Sequence, residues 1–226
     1  MVKLCVNVLY FALVLKIITC VCSLSVHTPC DVIKILSRDL PLDTRHRRTI
    51  LPFSDPGKSS FISTMSNSES DYVGSVIPDT VLEETLATEG SDTTSLKAIL
   101  SKLPSDYKGI VLFLFPSVGT PYCTKQACNF AQSHKSFNDL GYQVYGLTAS
   151  RKAIASSWSK RNQLTYTILF DQNSKIVKYL KCTWMYFLIN RSHIVIGKDA
   201  RILAFERGVN AEKSSSRVLD LIKGLK

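Results

Sequence analysis

The run Gly109-Ile110-Val111-Leu112-Phe113-Leu114-Phe115 limits most strongly what this chain can become. It has strand length and is almost wholly apolar, the pattern of a strand buried on both faces. The flanking sequence supplies layers to cover it. Residues 122–140 are predicted to be helical, with Ala127, Phe130, Ala131, Phe137 and Leu140 at helical spacing. Residues 142–147 form a second β-rich run, 150–162 a helix, 166–170 a strand and 173–180 a short helix. Residues 192–196 and 202–205 read as a hairpin, and 211–225 as a final helix. Strands alternating with helices, then a hairpin and a terminal helix, imply an α/β sandwich with no internal repeat.

Composition agrees with a packed domain. Of 226 residues 45% are hydrophobic, which excludes wholesale disorder, and ten Gly and eight Pro exclude a collagen-like or low-complexity chain. Seven cysteines, an odd number, exclude a closed intramolecular disulfide framework. The net charge of +10 first suggests nucleic acid or an acidic membrane. Its distribution argues otherwise. Residues 1–70 hold 8 basic and 5 acidic residues, net +3, and residues 71–226 hold 20 and 13, net +7. No basic run exceeds Arg45-His46-Arg47-Arg48, so the excess reads as a dispersed solvated surface and no nucleic-acid partner is expected.

Residues 1–24 read as a secretory signal, with Lys3 before the apolar run Val8 to Leu15 and small residues near Cys22-Ser23. A membrane anchor is the rival, weakened by Lys16, since a lysine near the bilayer centre costs roughly 2.5–3.5 kcal/mol. Residues 25–70 carry scattered Lys and Arg, then a Ser-rich stretch from Ser59 to Ser70. They read as a disordered leader or as a transit peptide. A signal followed by a transit-like stretch resembles the two-part leaders of proteins sent to a plastid through the secretory route. Secretion or membrane anchoring is the alternative. The globular domain is expected over residues 71–226.

The chemistry centres on Pro116-Ser-Val-Gly-Thr120-Pro121-Tyr122-Cys123-Thr-Lys-Gln-Ala-Cys128. The buried strand ends, a turn follows, and Cys123 falls in the first turn of the next helix. A helix N-terminus offers partial positive charge and free N–H groups, and both favour a thiolate. Position alone leaves two readings, a reactive nucleophile or a buried structural cysteine. A C-x-x-C redox pair would need a cysteine where Gln126 stands, and a phosphatase-type loop would need an arginine where Asn129 stands. Zinc held by Cys123, Cys128 and His134, with Cys182 or His193, matches no standard ligand spacing, so no metal is expected.

The motif Pro116-x-x-x-Thr120-x-x-Cys123 resembles the active-site signature of peroxiredoxins. The longer string Thr120-Pro-Tyr-Cys-Thr-Lys-Gln-Ala-Cys128 is similar to the peroxiredoxin Q group, also called bacterioferritin comigratory protein. Arg191-Ser-His-Ile-Val-Ile-Gly-Lys-Asp-Ala-Arg-Ile resembles the family's arginine, buried strand and turn, and Gly74-Ser-Val-Ile-Pro78-Asp79 its domain start. The resemblance covers about residues 72–226. It implies a thioredoxin-like fold in its peroxiredoxin variant, a central mixed β-sheet flanked by helices. It also implies a cofactor-free peroxidase for hydrogen peroxide and organic hydroperoxides, re-reduced by a thioredoxin- or glutaredoxin-like partner, as a monomer or a dimer.

Carried over by residue, the resemblance makes Cys123 the peroxidatic thiol, which becomes a sulfenic acid. Thr120 would turn its hydroxyl toward the sulfur or cap the helix, Arg191 would supply a fixed positive charge, and Pro116 would cover the sulfur. Cys128 would be the resolving cysteine. Five helical residues rise about 7.5 Å, beyond the roughly 7 Å Cα limit for a disulfide. The helix start must therefore unwind for the two to meet.

Several positions depart from the pattern. Tyr122 stands where the family usually has Gly, and Ala200 where it often has Gly. Residues 181–190 are unusually aromatic and read as a packed loop, with Cys182 a spare thiol partner. His134 is expected to be a core histidine, and Trp158 and Trp184 packing residues. The sequon Asn190-Arg191-Ser192 is expected to stay unglycosylated, because a glycan would crowd Arg191. Rival functions are a peroxide sensor or chaperone-like protein with weak turnover, favoured by Tyr122, and a basic-surface interaction protein.

Overall fold

A computed structural model describes residues 69–150, 152–184 and 188–225. The signal or anchor segment, the leader up to residue 68 and the side chain of Trp184 lie outside the described residues.

A 3₁₀ turn, Glu69–Asp71, opens the described chain, followed by α1 (Asp79–Leu82), β1 (Leu86–Thr88), β2 (Thr93–Thr94) and α2 (Leu96–Ser101). Then come β3 (Gly109–Leu114), α3 (Pro121–Asp139) and β4 (Tyr142–Thr148). A 3₁₀ turn, Lys152–Ile154, leads into α4 (Ala155–Arg161), β5 (Thr167–Phe170) and α5 (Lys175–Tyr179). The chain ends with β6 (Thr183–Trp184), β7 (Leu188–Ile189), β8 (Ser192–Gly197), β9 (Ile202–Arg207) and α6 (Ser214–Gly224).

Seven strands form one mixed sheet in the order β2-β1-β5-β4-β3-β8-β9. The pairs β3–β4 and β4–β5 are parallel; β3–β8, β8–β9, β1–β5 and β1–β2 are antiparallel. The apolar run of β3 lies between β4 and β8 with every residue buried. Its alternate side chains divide the core. Ile110, Leu112 and Leu114 pack with Leu82, Leu96 and Ile176 on one face. Val111, Phe113 and Phe115 pack with Cys123, Phe130, Trp158 and Val218 on the other. Phe113 stacks on Phe130 with ring centroids 4.3 Å apart, which fastens α3 to the sheet.

Local chemistry sets where α3 begins and ends. Thr120 stands at its N-cap in extended backbone and Pro121 at its first position, where a missing N–H costs nothing. Gly141, with φ of +83°, turns the chain left-handed directly after the helix and starts β4.

The α/β sandwich and the mixed thioredoxin-like sheet expected from the sequence are present. The short β1, β2, α1 and α2 are additions with too few residues for a clear hydrophobic period. Residues 181–190 are not simply a loop: β6 and β7 pair antiparallel, Thr183 opposite Ile189, as suits β-branched and aromatic residues. The hairpin turn forms with Ala200 itself in the left-handed region, at φ of 62°. The opening segment docks as a stub of strand, with Val76 bridged to Arg201 and the Gly74 amide donating to the Ile202 carbonyl at 2.7 Å.

Gly109 opens β3 opposite Gly197 of β8. A Cβ there would lie 2.1 Å from the Ile196 carbonyl oxygen and 3.0 Å from the Gly197 Cα. Gly109→Ala should lower unfolding free energy by about 1–3 kcal/mol, the usual range for overpacking. Urea denaturation checks this, and an unchanged midpoint would contradict the packing described.

Candidate active site

Cys123 is the third residue of α3, and only 1% of its surface is exposed. It belongs to the same apolar cluster as Phe115, Val118 and Ala155. The antiparallel register places Ser192 opposite Leu114, so Arg191 emerges just beyond the C-terminal end of β3. From there its Nη2 reaches to 3.5 Å from the Cys123 sulfur, across 68 residues of sequence. Its Nη1 donates to Gln126 Oε1 at 2.5 Å.

Gln126 is completely buried although α3 is apolar around it. Its Nε2 donates to Ser214 Oγ at 3.1 Å. Ser214 Oγ lies 3.1 Å from His193 Nδ1, and His193 Nε2 lies 3.1 Å from Glu206 Oε2. Arg217 closes the series with donors at 2.9 and 2.6 Å from Glu206. From the sequence, Gln126 serves only to exclude a C-x-x-C pair, and His193 stands only as a zinc candidate. Gln126 lies one turn from Cys123 on the same helical face, and a polar residue at an apolar position was the available signal.

The remaining expected residues surround the sulfur in different ways. Thr120 is the N-cap by backbone, but its side chain makes no capping bond; the hydroxyl makes a long contact, 3.5 Å, with the Ser117 carbonyl. The Thr120 carbonyl is taken by Thr124, through both amide and hydroxyl at 2.9 Å. Pro116 is half-buried, and its carbonyl receives the Thr148 hydroxyl at 3.5 Å. Tyr122, next to the nucleophile position, is 69% exposed. Trp158 packs under the site and donates from Nε1 to Thr124 Oγ1 at 3.0 Å.

Cys123 and Cys182 are free thiols. Cys128 is disulfide-bonded, to neither of these. It is fully buried further along the unbroken α3, about 140° around the helix from Cys123. Cys182 belongs to the cluster on the opposite face of the sheet from Cys123, and burial pushes its thiol up to about 11. His134 is half-buried at the edge of the Tyr166 ring, 6.0 Å between centroids, and burial lowers it below the usual histidine range. The sequon is folded into structure: Ser192 is buried and its hydroxyl donates to the Asn190 carbonyl at 2.7 Å.

The AhpC/TSA family model matches residues 73–205. Peroxiredoxin Bcp of Bacillus subtilis is 29% identical over 131 residues, spanning 54% of this chain and 83% of that protein. The chloroplastic peroxiredoxin Q of Sedum lineare is 30% identical over 127 residues, spanning 54% of this chain and 68% of that protein. Among solved structures, the bacterioferritin comigratory protein of Xanthomonas campestris, studied for alkyl peroxide reduction, superposes with a TM-score of 0.61. It is 18% identical and spans 69% of this chain and all of its own, a likeness of fold.

Burial lowers His193 below its ordinary value, with Glu206 opposing, and lowers His134 in the same direction. The unfolded chain then binds more protons than the folded one below about pH 6.5. The stability these two histidines contribute is complete above that pH and is lost as pH falls. The urea midpoint should drop between about pH 7 and pH 5, and less so in His193→Asn. An equal drop in both proteins would contradict the burial assigned to His193.

Proposed function

The chain belongs to the AhpC/TSA family, and on that premise we propose that it reduces hydrogen peroxide and organic hydroperoxides through Cys123. The observation that carries the reading is the Arg191 guanidinium 3.5 Å from the Cys123 sulfur at the start of α3. A fixed cation and a helix N-terminus both stabilise a thiolate over a thiol. The thiolate attacks one peroxide oxygen. The O–O bond breaks, Cys123 becomes a sulfenic acid, and the other oxygen leaves as hydroxide or alkoxide and takes up a proton. Arg191 faces the developing negative charge, the arrangement that lowers such barriers most. The exposed Thr120 hydroxyl turns from its weak contact at Ser117 toward the peroxide, and Pro116 shields the sulfur from water.

In the reduced protein Cys128 is the resolving thiol. Its sulfur attacks the sulfenic sulfur, water leaves, and a Cys123–Cys128 disulfide forms. The first turns of α3 must open, releasing Trp158 from Thr124 and Lys125 from Glu212. A thioredoxin- or glutaredoxin-like dithiol then restores both thiols. Plant relatives of this chain are named chloroplastic, which supports the reading of residues 1–70 as a leader to a plastid-type compartment.

With a dithiol reductant, Cys123→Ser should reduce peroxide consumption to background, while Cys182→Ala retains it. Arg191→Leu should slow the peroxide step by about 10²-fold. Peptide mapping after one equivalent of peroxide should find Cys123 joined to Cys128. Turnover that survives Cys123→Ser, or a link from Cys123 to Cys182, would overturn the scheme.

A further inference from the structure

We propose that His193 is a positioning residue for this reaction, acting through Ser214 and Gln126 to hold Arg191 against the Cys123 sulfur. The inference rests on the reading of Cys123 as the reacting thiol.

A guanidinium can only donate. Gln126 must therefore present its oxygen to Arg191, which leaves its amide nitrogen facing Ser214 Oγ at 3.1 Å. At the other end the Glu206 carboxylate, 3.1 Å from His193 Nε2, can only accept, so Nε2 carries the ring proton. The neutral ring's Nδ1 then accepts the Ser214 hydroxyl, 3.1 Å away. Every donor points the same way, from the cation beside the sulfur to an anion near the surface. Gln126, Ser214 and His193 are at most 1% exposed, so water does not readily replace a lost partner.

This order holds only for a neutral imidazole. A proton added at Nδ1 would face Ser214 with a donor where an acceptor is needed. The serine oxygen would then meet two N–H groups and its buried hydroxyl would lose its acceptor, so Ser214 would turn to find another and weaken its hold on Gln126. Arg191 would be held less firmly on its Gln126 side.

Burial favours the neutral ring of His193, although two carboxylates face it. The charged groups facing it are Glu206 from β9, Arg217 from α6 and Glu69 from the first 3₁₀ turn. From β3 it is paired with apolar Phe113, and from α3 the network brings uncharged Gln126. Burial is the largest influence and disfavours the imidazolium, with Glu206 opposing it.

The test uses the reduced full-length chain and two substitutions. His193→Leu keeps bulk without an acceptor, and His193→Asn keeps an acceptor oxygen for Ser214 that does not titrate. Two readouts are followed against pH: the rate constant with hydrogen peroxide, and the rate of Cys123 alkylation by iodoacetamide, which needs no peroxidase activity. His193→Leu should slow the peroxide step about 10- to 100-fold, the scale of losses when a catalytic group is misplaced. It should also change the rate of Cys123 alkylation. His193→Asn should recover most of the loss and flatten the acid side of the profile. Ser214→Ala should reproduce the leucine effect, and substitutes for it if His193→Leu does not fold. If wild type consumes peroxide through Cys123 but the leucine and Ser214→Ala proteins match it in both profiles, His193 has no such role. Asparagine failing as badly as leucine would also refute it. If wild type consumes no peroxide, the functional reading itself fails.

Discussion

The site depends on keeping one half-buried guanidinium against a buried sulfur. Arg191 and Cys123 come from segments far apart in the chain, and they meet because β8 runs antiparallel to β3 in a register that ends with Leu114 opposite Ser192. That register brings Arg191 out at the edge of the sheet where α3 begins. The same close strand approach leaves no room for a side chain at Gly109. The contact between Arg191 and Cys123 is thus a consequence of the β3–β8 register, and a slip of one residue would move Arg191 away and turn its neighbours to the wrong face.

The two faces of β3 also separate the cysteines. Cys123 lies with the α3 and α6 layer, whereas Cys182 lies across the sheet with its thiol held well above the usual range by burial. Cys128 shares α3 with Cys123 but points elsewhere, so any bond between them needs the helix start to open. Besides the apolar cluster around Cys123, polar contacts hold that start closed: Trp158 to Thr124, Lys125 to Glu212, and Gln126 to Arg191 and Ser214. Polar contacts of this kind contribute modestly to stability, which suits a turn that must open and reclose.

Much of this was legible in the sequence because the signals were long or chemically specific. The apolar run of β3, the 3.6-residue period of α3 and the spacing Pro116, Thr120, Cys123, Cys128 each stand within a single segment. Arg191 was found by resemblance; no local pattern around it announces a partner at Cys123. The role of Gln126, His193 and Ser214 was not legible. Each is an ordinary polar residue in its own segment, and only the packing of α3, β8 and α6 aligns them. Thr120 shows the opposite lesson: its position predicts a capping side chain, yet the hydroxyl leans toward Ser117 and leaves the helix N-terminus open beside Cys123.

The most direct test of the central claim is to trap the first product of the reaction. In a reduced Cys128→Ser protein treated with one equivalent of hydrogen peroxide and dimedone, peptide mass analysis should find the sulfenic acid adduct on Cys123 and not on Cys182. An adduct on Cys182, or none on Cys123 while peroxide is consumed, would contradict the assignment of Cys123 as the thiol that meets the peroxide.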